Sequence, residues 1–134
     1  MGKLKFTVFA LLCIHIIGCG NDFDESKPIS CDIIRTIECG QGGECQVGTA
    51  ESIGMPQTLK INFKDKIISG MGKDQKVRTT KIQNLERVED KLILHGIQNG
   101  KAWSMVITEA TGKMTLSVSD NQVGYIVFGL CNPQ

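Results

Sequence analysis

The stretch K-L-I-L-H-G-I-Q-N-G-K-A-W-S-M-V-I-T, residues 91–108, decides the fold. Asn99-Gly100 stands between two apolar runs, and this dipeptide favours a two-residue hairpin turn because both residues tolerate positive φ. The turn sets the register: Gln98 faces Lys101, Gly96 faces Trp103, Leu94 faces Met105 and Leu92 faces Ile107. The hairpin therefore has one apolar face, with Gly96 leaving room for the indole opposite, and one mixed face. The residues of the apolar face are predicted to lie in the core; they are Leu92, Leu94, Trp103, Met105 and Ile107.

Alternating patterns continue on both sides of this hairpin. Segments 57–64, 77–88, 113–119 and 123–129 alternate like half-buried strands, and turn residues such as Ala110-Thr111-Gly112 separate them. No stretch has a convincing helical period. The sequence predicts an all-β domain, an antiparallel meander of about seven or eight strands that forms a small barrel. A two-sheet sandwich is the alternative.

The first 19 residues have the pattern of an export signal. Lys3 and Lys5 precede 12 mostly apolar residues, 6–17, a run too short for an ordinary transmembrane helix. Ile16-Ile17-Gly18-Cys19 then resembles the lipobox of bacterial lipoproteins. The resemblance implies that residues 1–18 are a signal peptide, that Cys19 is acylated, and that the protein is anchored in the cell envelope. Since Gly20 rather than Asp follows Cys19, it implies the outer membrane, facing the periplasm. An ordinary secretory signal is the alternative.

The mature chain is expected to contain a tether and one domain. Residues 20–30 are polar and acidic and lack periodicity, so residues 19–30 are predicted to be a lipidated tether, whose 11 residues after Cys19 reach roughly 36 Å when extended. Residues 31–134 form the single β-domain.

Four cysteines remain in the mature chain besides Cys19. An even number in an exported domain favours disulfides. Cys39 and Cys45 flank a Gly-rich turn, which favours this local bridge and leaves Cys31 to pair with Cys131. A four-cysteine zinc site is disfavoured because no C-x-x-C spacing is present.

Two further resemblances concern the body of the domain. N-G-K-A-W-S-M-V-I-T-E-A-T-G followed by G-Y-I-V-F-G-L-C, within residues 90–131, resembles small exported bacterial β-proteins of unknown function. Ser69-Gly70-Met71-Gly72-Lys73 is similar to the Ser-Gly-x-x-Tyr loop of membrane-bound inhibitors of C-type lysozyme, with Lys73 in place of the tyrosine. The second resemblance implies a loop that enters an enzyme cleft.

Charge is balanced overall but uneven along the chain. The chain has 15 basic and 14 acidic residues, so no global excess favours nucleic acid. Residues 60–81 hold seven bases and two acids, and this basic set is a candidate interaction face. Its members are Lys60, Lys64, Lys66, Lys73, Lys76, Arg78 and Lys81.

No catalytic constellation is recognisable. His95 and Ser104 share the mixed face, yet no acid is placed to orient the histidine and no nucleophile elbow is present. No cofactor motif or metal-ligand spacing occurs. The sequence thus predicts a non-catalytic, membrane-anchored binding module for an unknown protein or cell-wall partner. A lipocalin-like carrier of a small apolar ligand and a lysozyme-inhibitor-like protein are the alternatives.

Overall fold

A computed structural model describes residues 23–133, which form ten strands and one short 3-10 helix. The strands are β1 Ile29–Gly40, β2 Cys45–Gly48, β3 Thr58–Asn62, β4 Ile67–Met71, β5 Val77–Lys81, β6 Asn84–Val88, β7 Lys91–Gln98, β8 Lys101–Thr108, β9 Lys113–Ser119 and β10 Val123–Pro133. The 3-10 helix is Glu51–Ile53. No helix within residues 23–133 is long and apolar enough to cross a membrane.

The described strands belong to one curled antiparallel sheet, a half-barrel, so the barrel-like prediction is confirmed against the sandwich. The order is β5-β4-β3-β1-β10-β9-β8-β7-β6, with β2 paired to β1. Two meanders, β3–β5 and β6–β10, are thus joined by β1, which lies between β3 and β10. The strand number exceeds the predicted seven or eight, partly because segment 77–88 forms two strands.

A corner at Ile82 and Gln83 divides that segment and curls the sheet. The Ile82 N–H donates to the Lys66 carbonyl at 2.8 Å, and the Gln83 N–H donates to the His95 carbonyl at 2.9 Å. The chain therefore leaves the β4 ladder and joins the β7 ladder within two residues. This step brings the two edges of the sheet together, and the Ile82 side chain is buried at the corner.

The central hairpin has the predicted register and turn. Gln98 pairs with Lys101, Gly96 with Trp103, Leu94 with Met105 and Leu92 with Ile107. Asn99 and Gly100 both have positive φ, 50° and 75°. The five residues predicted for the core are all buried. A Cβ at Gly96 would lie 2.3 Å from Trp103 Cζ2, so glycine is required for the indole to pack across the strand.

Both predicted disulfides are present. Cys31 and Cys131 are opposite each other on β1 and β10 and are joined in the core. Cys39 and Cys45 are opposite each other across the β1–β2 turn. The first bridge links strands 100 residues apart, whereas the second closes a separation of 6.

The segment before β1 is packed on the domain, which corrects the predicted tether for residues 23–30. Phe23 is 3% exposed and Ile29 is 1% exposed, so both side chains belong to the core. The Phe23 N–H donates to Glu109 Oε2 at 3.1 Å, and Arg87 Nη2 donates to the Phe23 carbonyl at 3.3 Å. One phenylalanine among polar residues gave little sequence signal, but its burial and these long-range bonds fix the segment.

Candidate functional site: an apolar cleft at the open end of the half-barrel

The half-barrel has a closed end and an open end. The turns at 89–90 and 109–112 lie at the closed end, where Phe23 is buried against Glu109 and Arg87. The turns at 72–76, 99–100 and 120–122 lie at the open end. Here the two walls diverge and leave a cleft of about 410 Å³. The inward positions of the strands therefore fill the closed end and only line the open one.

The cleft is walled mainly by apolar side chains from three parts of the chain. One wall is the inner face of β8, β9 and β10, and the other is the inner face of β3 and β4 with the segment after the 3-10 helix. The apolar lining comprises Ile53, Met55, Pro56, Leu59, Ile68, Trp103, Met105, Leu116, Val118 and Tyr125. Such a lining favours apolar ligand surface over a charged group.

The cleft follows from the way that the sheet closes. β5 and β6 are the two edges of the sheet, and within residues 23–133 no ladder joins β5 to β6 or β7, so beyond the Ile82 corner the two walls separate. Trp103 bridges the gap, since its Nε1–H donates to Thr80 Oγ1 at 3.1 Å. This hydrogen bond fixes the indole plane beside the cleft and satisfies the one polar atom of the ring.

Two cations stand at the rim, and each has a carboxylate partner. Arg78 Nη2 lies 3.2 Å from Asp74 Oδ2, and Lys101 is paired with Asp120. The Lys101 ammonium, together with hydrogen bonds from the backbone N–H groups of Gln122 and Val123, lowers the pKa of Asp120 to about 2. The pKa of Lys101 is raised by its hydrogen bond to Asp120. The rim of the cleft is therefore polar but locally neutralised.

The Lys101–Asp120 pair gives a pH-dependent prediction. Because folding depresses the pKa of Asp120, its carboxylate stabilises the fold above the ordinary aspartate pKa of about 3.9. This contribution is lost as the pH falls towards about 2. We expect Asp120→Asn to be less stable than the wild type at neutral pH, with the difference disappearing near pH 2. Urea unfolding across this pH range measures it. Lys101→Met should remove part of the same pH dependence, and a pH-independent difference for Asp120→Asn would contradict the assignment.

The predicted basic set is divided by the structure. Lys64 and Lys66 lie at the β3–β4 turn, whereas Lys73 and Lys76 lie at the β4–β5 turn, at the opposite end of β4. Lys60 and Lys81 lie on strands, and Arg78 lines the cleft. Lys73 is also paired with Glu51. These residues therefore do not form one compact surface, although the binding role proposed for them remains a prediction.

The stretch that resembles the lysozyme-inhibitor loop spans the end of β4 and the turn after it. Ser69 and Gly70 lie within β4, where Ser69 pairs with Lys60 on one side and Thr79 on the other. A Cβ at Gly70 would lie 2.6 Å from Pro56, so the glycine is needed for packing. Ser69 and Gly70 therefore lie in a paired strand, whereas Gly72 and Lys73 of the same stretch lie in the β4–β5 turn, and the inhibitor function remains a prediction.

The remaining candidate residues lie either on the outer face of the sheet or outside the described part of the chain. His95 and Ser104 are directly opposite each other on the outer face, and His95 is exposed. Cys19 and the predicted signal peptide, residues 1–18, lie outside the described residues. The chain matches no protein-family model and no curated protein.

Sequence reasoning missed the cleft as a site. It placed Trp103 and Met105 correctly on the inner face of the central hairpin, but it gave no sign of where the inner faces separate. The residues that open the cleft lie in the corner at Ile82 and in the irregular segment 53–56. Neither has a periodic signal, so only the assembled sheet shows that the inner faces part at one end.

Proposed function

We propose that the protein is a non-catalytic binding module, anchored in the bacterial envelope through Cys19, that carries a small apolar ligand in the cleft. The observation that carries the proposal is the cleft itself. Its volume of about 410 Å³ falls within the range of about 300–1,000 Å³ that small-molecule sites usually have. The anchor rests on the lipobox resemblance alone.

The cleft supports a ligand carrier better than a charged docking face. Its lining is mostly apolar, and the rim cations Arg78 and Lys101 are neutralised by Asp74 and Asp120. The large core side chains pack at the closed end, where Leu92, Leu94 and Ile107 are fully buried. A lumen and a well-packed core therefore coexist in one half-barrel, which is the arrangement that a carrier of the lipocalin kind requires.

A cleft-filling variant tests this function. Ile53 and Val118 stand on opposite walls, so Ile53→Phe/Val118→Phe should narrow the cleft and weaken binding of an apolar ligand by about tenfold or more. Binding is measured with 1-anilinonaphthalene-8-sulfonate, whose emission rises in apolar sites, and by the change in fluorescence of Trp103, the single tryptophan of the chain. Dodecanoate then serves as a competitor.

The matched control adds the same two side chains outside the cleft. Val88 and Ile97 are exposed, and neither lines the cleft. Val88→Phe/Ile97→Phe should bind the probe as the wild type does. Equal affinity of all three proteins, or probe binding that dodecanoate does not displace, would count against the carrier function.

A further inference from the structure

Strand β10 is apolar on both faces, although the described structure covers only one. Val127 and Cys131 point inward and are buried. Ile126, Phe128 and Leu130 alternate with them and point outward, with exposed fractions of 36%, 39% and 38%. An antiparallel strand with one solvated face normally alternates between apolar and polar residues. The outer side of β10 therefore has the composition of a surface that is covered.

Neighbouring strands extend this surface into a patch. Ile37 is opposite Ile126, and Val47 of β2 is opposite Ile37. A bulge between Ile33 and Arg35 interrupts the β1–β10 register beside Phe128, and Ile34 at this bulge is 65% exposed. We call this contiguous surface the outer patch; it comprises Ile34, Ile37, Val47, Ile126, Phe128 and Leu130. Contiguous exposed apolar surface of this kind marks an interaction site.

The lower edge of the outer patch borders the closed end, where the chain enters the domain. Cys131, next to Leu130, donates its N–H to the Gly112 carbonyl at 2.7 Å, in the turn that follows Glu109. Glu109 in turn accepts from the Phe23 N–H. The turn at 109–112 therefore contacts both the end of the patch, next to Leu130, and Phe23, where the described chain begins.

The length of chain outside the structure then limits where an anchor holds the domain. Phe23 is fixed in the core, and only four residue steps separate it from Cys19. Four extended residues span at most about 14 Å. An acylated Cys19 would therefore hold the closed end against the lipid surface rather than on a long tether.

We propose that the outer patch rests on the surface of the membrane that holds the anchor. The proposal depends on the acylation of Cys19 in the proposed function. Apolar side chains of the patch enter the region between headgroups and acyl chains, which adds a second contact to the lipid anchor. Two cations lie on the strands beside β10, since Arg35 of β1 is opposite Phe128 and Lys113 of β9 is opposite Leu130. Both are placed to contact the phosphates of lipid headgroups.

An exposed acidic side chain also lies beside the patch. Asp32, also opposite Leu130, accepts a hydrogen bond from Thr58 Oγ1 at 2.7 Å. With the β1–β10 wall on the membrane, the strands run along the bilayer surface, and the open end of the half-barrel points along that surface, away from the anchored end.

Depth-dependent quenching tests the docking. The full-length lipidated protein is reconstituted in phosphatidylethanolamine–phosphatidylglycerol vesicles that contain doxyl-labelled lipid. One tryptophan is placed by Phe128→Trp in the outer patch, or by Ile97→Trp on β7, three strands away from β10, each with Trp103→Phe. Ile97 is 57% exposed and lies on β7, so it is the matched control. We expect quenching at least about threefold stronger for Phe128→Trp.

Other outcomes overturn the proposal in distinguishable ways. Equal quenching of the two positions, with mass spectrometry showing acylated Cys19, overturns the docking and leaves the anchor intact. An unacylated Cys19 overturns the anchor and the docking together, while probe binding to the cleft still reports on the carrier function. Dimers in detergent with the tryptophan of Phe128→Trp shielded from acrylamide would show that a second copy covers the patch. If Trp103→Phe does not fold, the same comparison is made with Trp103 retained and its quenching subtracted.

Discussion

Cys31→Ala/Cys131→Ala should lower the free energy of unfolding by about 4–5 kcal/mol, because the bridge closes a loop of 100 residues. In the chain-entropy model the cross-link lowers the conformational entropy of the unfolded chain, and the entropy removed increases with the length of the closed loop. Stabilities of about 5–15 kcal/mol are usual for single domains, so most of the stability would be lost. Urea unfolding of the variant and the wild type measures the difference.

The second disulfide is the matched control for this prediction. Cys39→Ala/Cys45→Ala removes a bridge with a separation of only 6, so the same model gives a loss of about 2 kcal/mol. Alanine keeps the size of the change the same at all four positions. A loss for the short bridge as large as that for the long one would show that loop length does not set the stabilisation.

The hairpin at 91–108 was predictable because its signals are local. Asn99-Gly100 fixes a two-residue turn, and the turn fixes every cross-strand pair, so the core residues and the place of Gly96 follow without knowledge of the rest. The disulfide pairing was predictable for a similar reason, since Cys39 and Cys45 are close along the chain.

The sheet order could not be read in the same way. β1 inserts between β3 and β10, and these pairings join residues about 30 and about 100 positions apart. No local pattern favours them over a simple meander. The corner at Ile82 likewise depends on two acceptors, the carbonyls of Lys66 and His95, that belong to distant strands.

The N-terminal segment and the cleft show the same limit. Phe23 is one apolar residue among polar neighbours, and its burial depends on Arg87 and Glu109, which are 64 and 86 positions away. The cleft lies beside β5, which has no ladder to the other edge of the described sheet, so its position depends on the order of strands rather than on any motif. Core positions were therefore predictable from alternation, while the site was not.

The two ends of the half-barrel divide stability from binding. The closed end contains the long disulfide, the fully buried Leu92 and Ile107, and the segment that begins at Phe23. At the open end, short polar turns surround the cleft, and the two walls are not packed against each other. Changes in cleft residues such as Val118 should therefore affect binding more than folding, whereas changes at the closed end should do the reverse.

Arg87→Met is the second change for which we expect a large effect. Glu109 is 2% exposed, and Arg87 binds it while also contacting Glu25 at 3.0 Å and the Phe23 carbonyl at 3.3 Å. The pKa of Arg87 is raised by its hydrogen bond to Glu109, followed by that to Glu25. Without the guanidinium, the buried Glu109 carboxylate keeps, among the residues that the structure describes, only the Phe23 N–H as a hydrogen-bond donor.

The expected cost is smaller than for a fully buried ion pair. Breaking such a pair costs about 3–5 kcal/mol, and because Arg87 is 38% exposed we expect a loss of about 2–3 kcal/mol. Hydrogen exchange should also become faster at the amides of residues 23–28, since this segment loses the hydrogen bonds of Arg87 to the Phe23 carbonyl and to Glu25. Urea unfolding and hydrogen exchange of the full chain measure the two effects.

A double variant separates the charge effect from simple loss of contacts. Arg87→Met/Glu109→Met removes both charges, and replacing a buried pair with apolar side chains of similar size is often neutral. We therefore expect the double variant to be more stable than Arg87→Met alone, while residues 23–28 still exchange faster than in the wild type. If the double variant is less stable than the single one, the stabilising contact is not the ion pair. Residues 23–28 would then be held mainly by the burial of Phe23. The distance between Cys19 and the closed end would in that case not depend on Arg87.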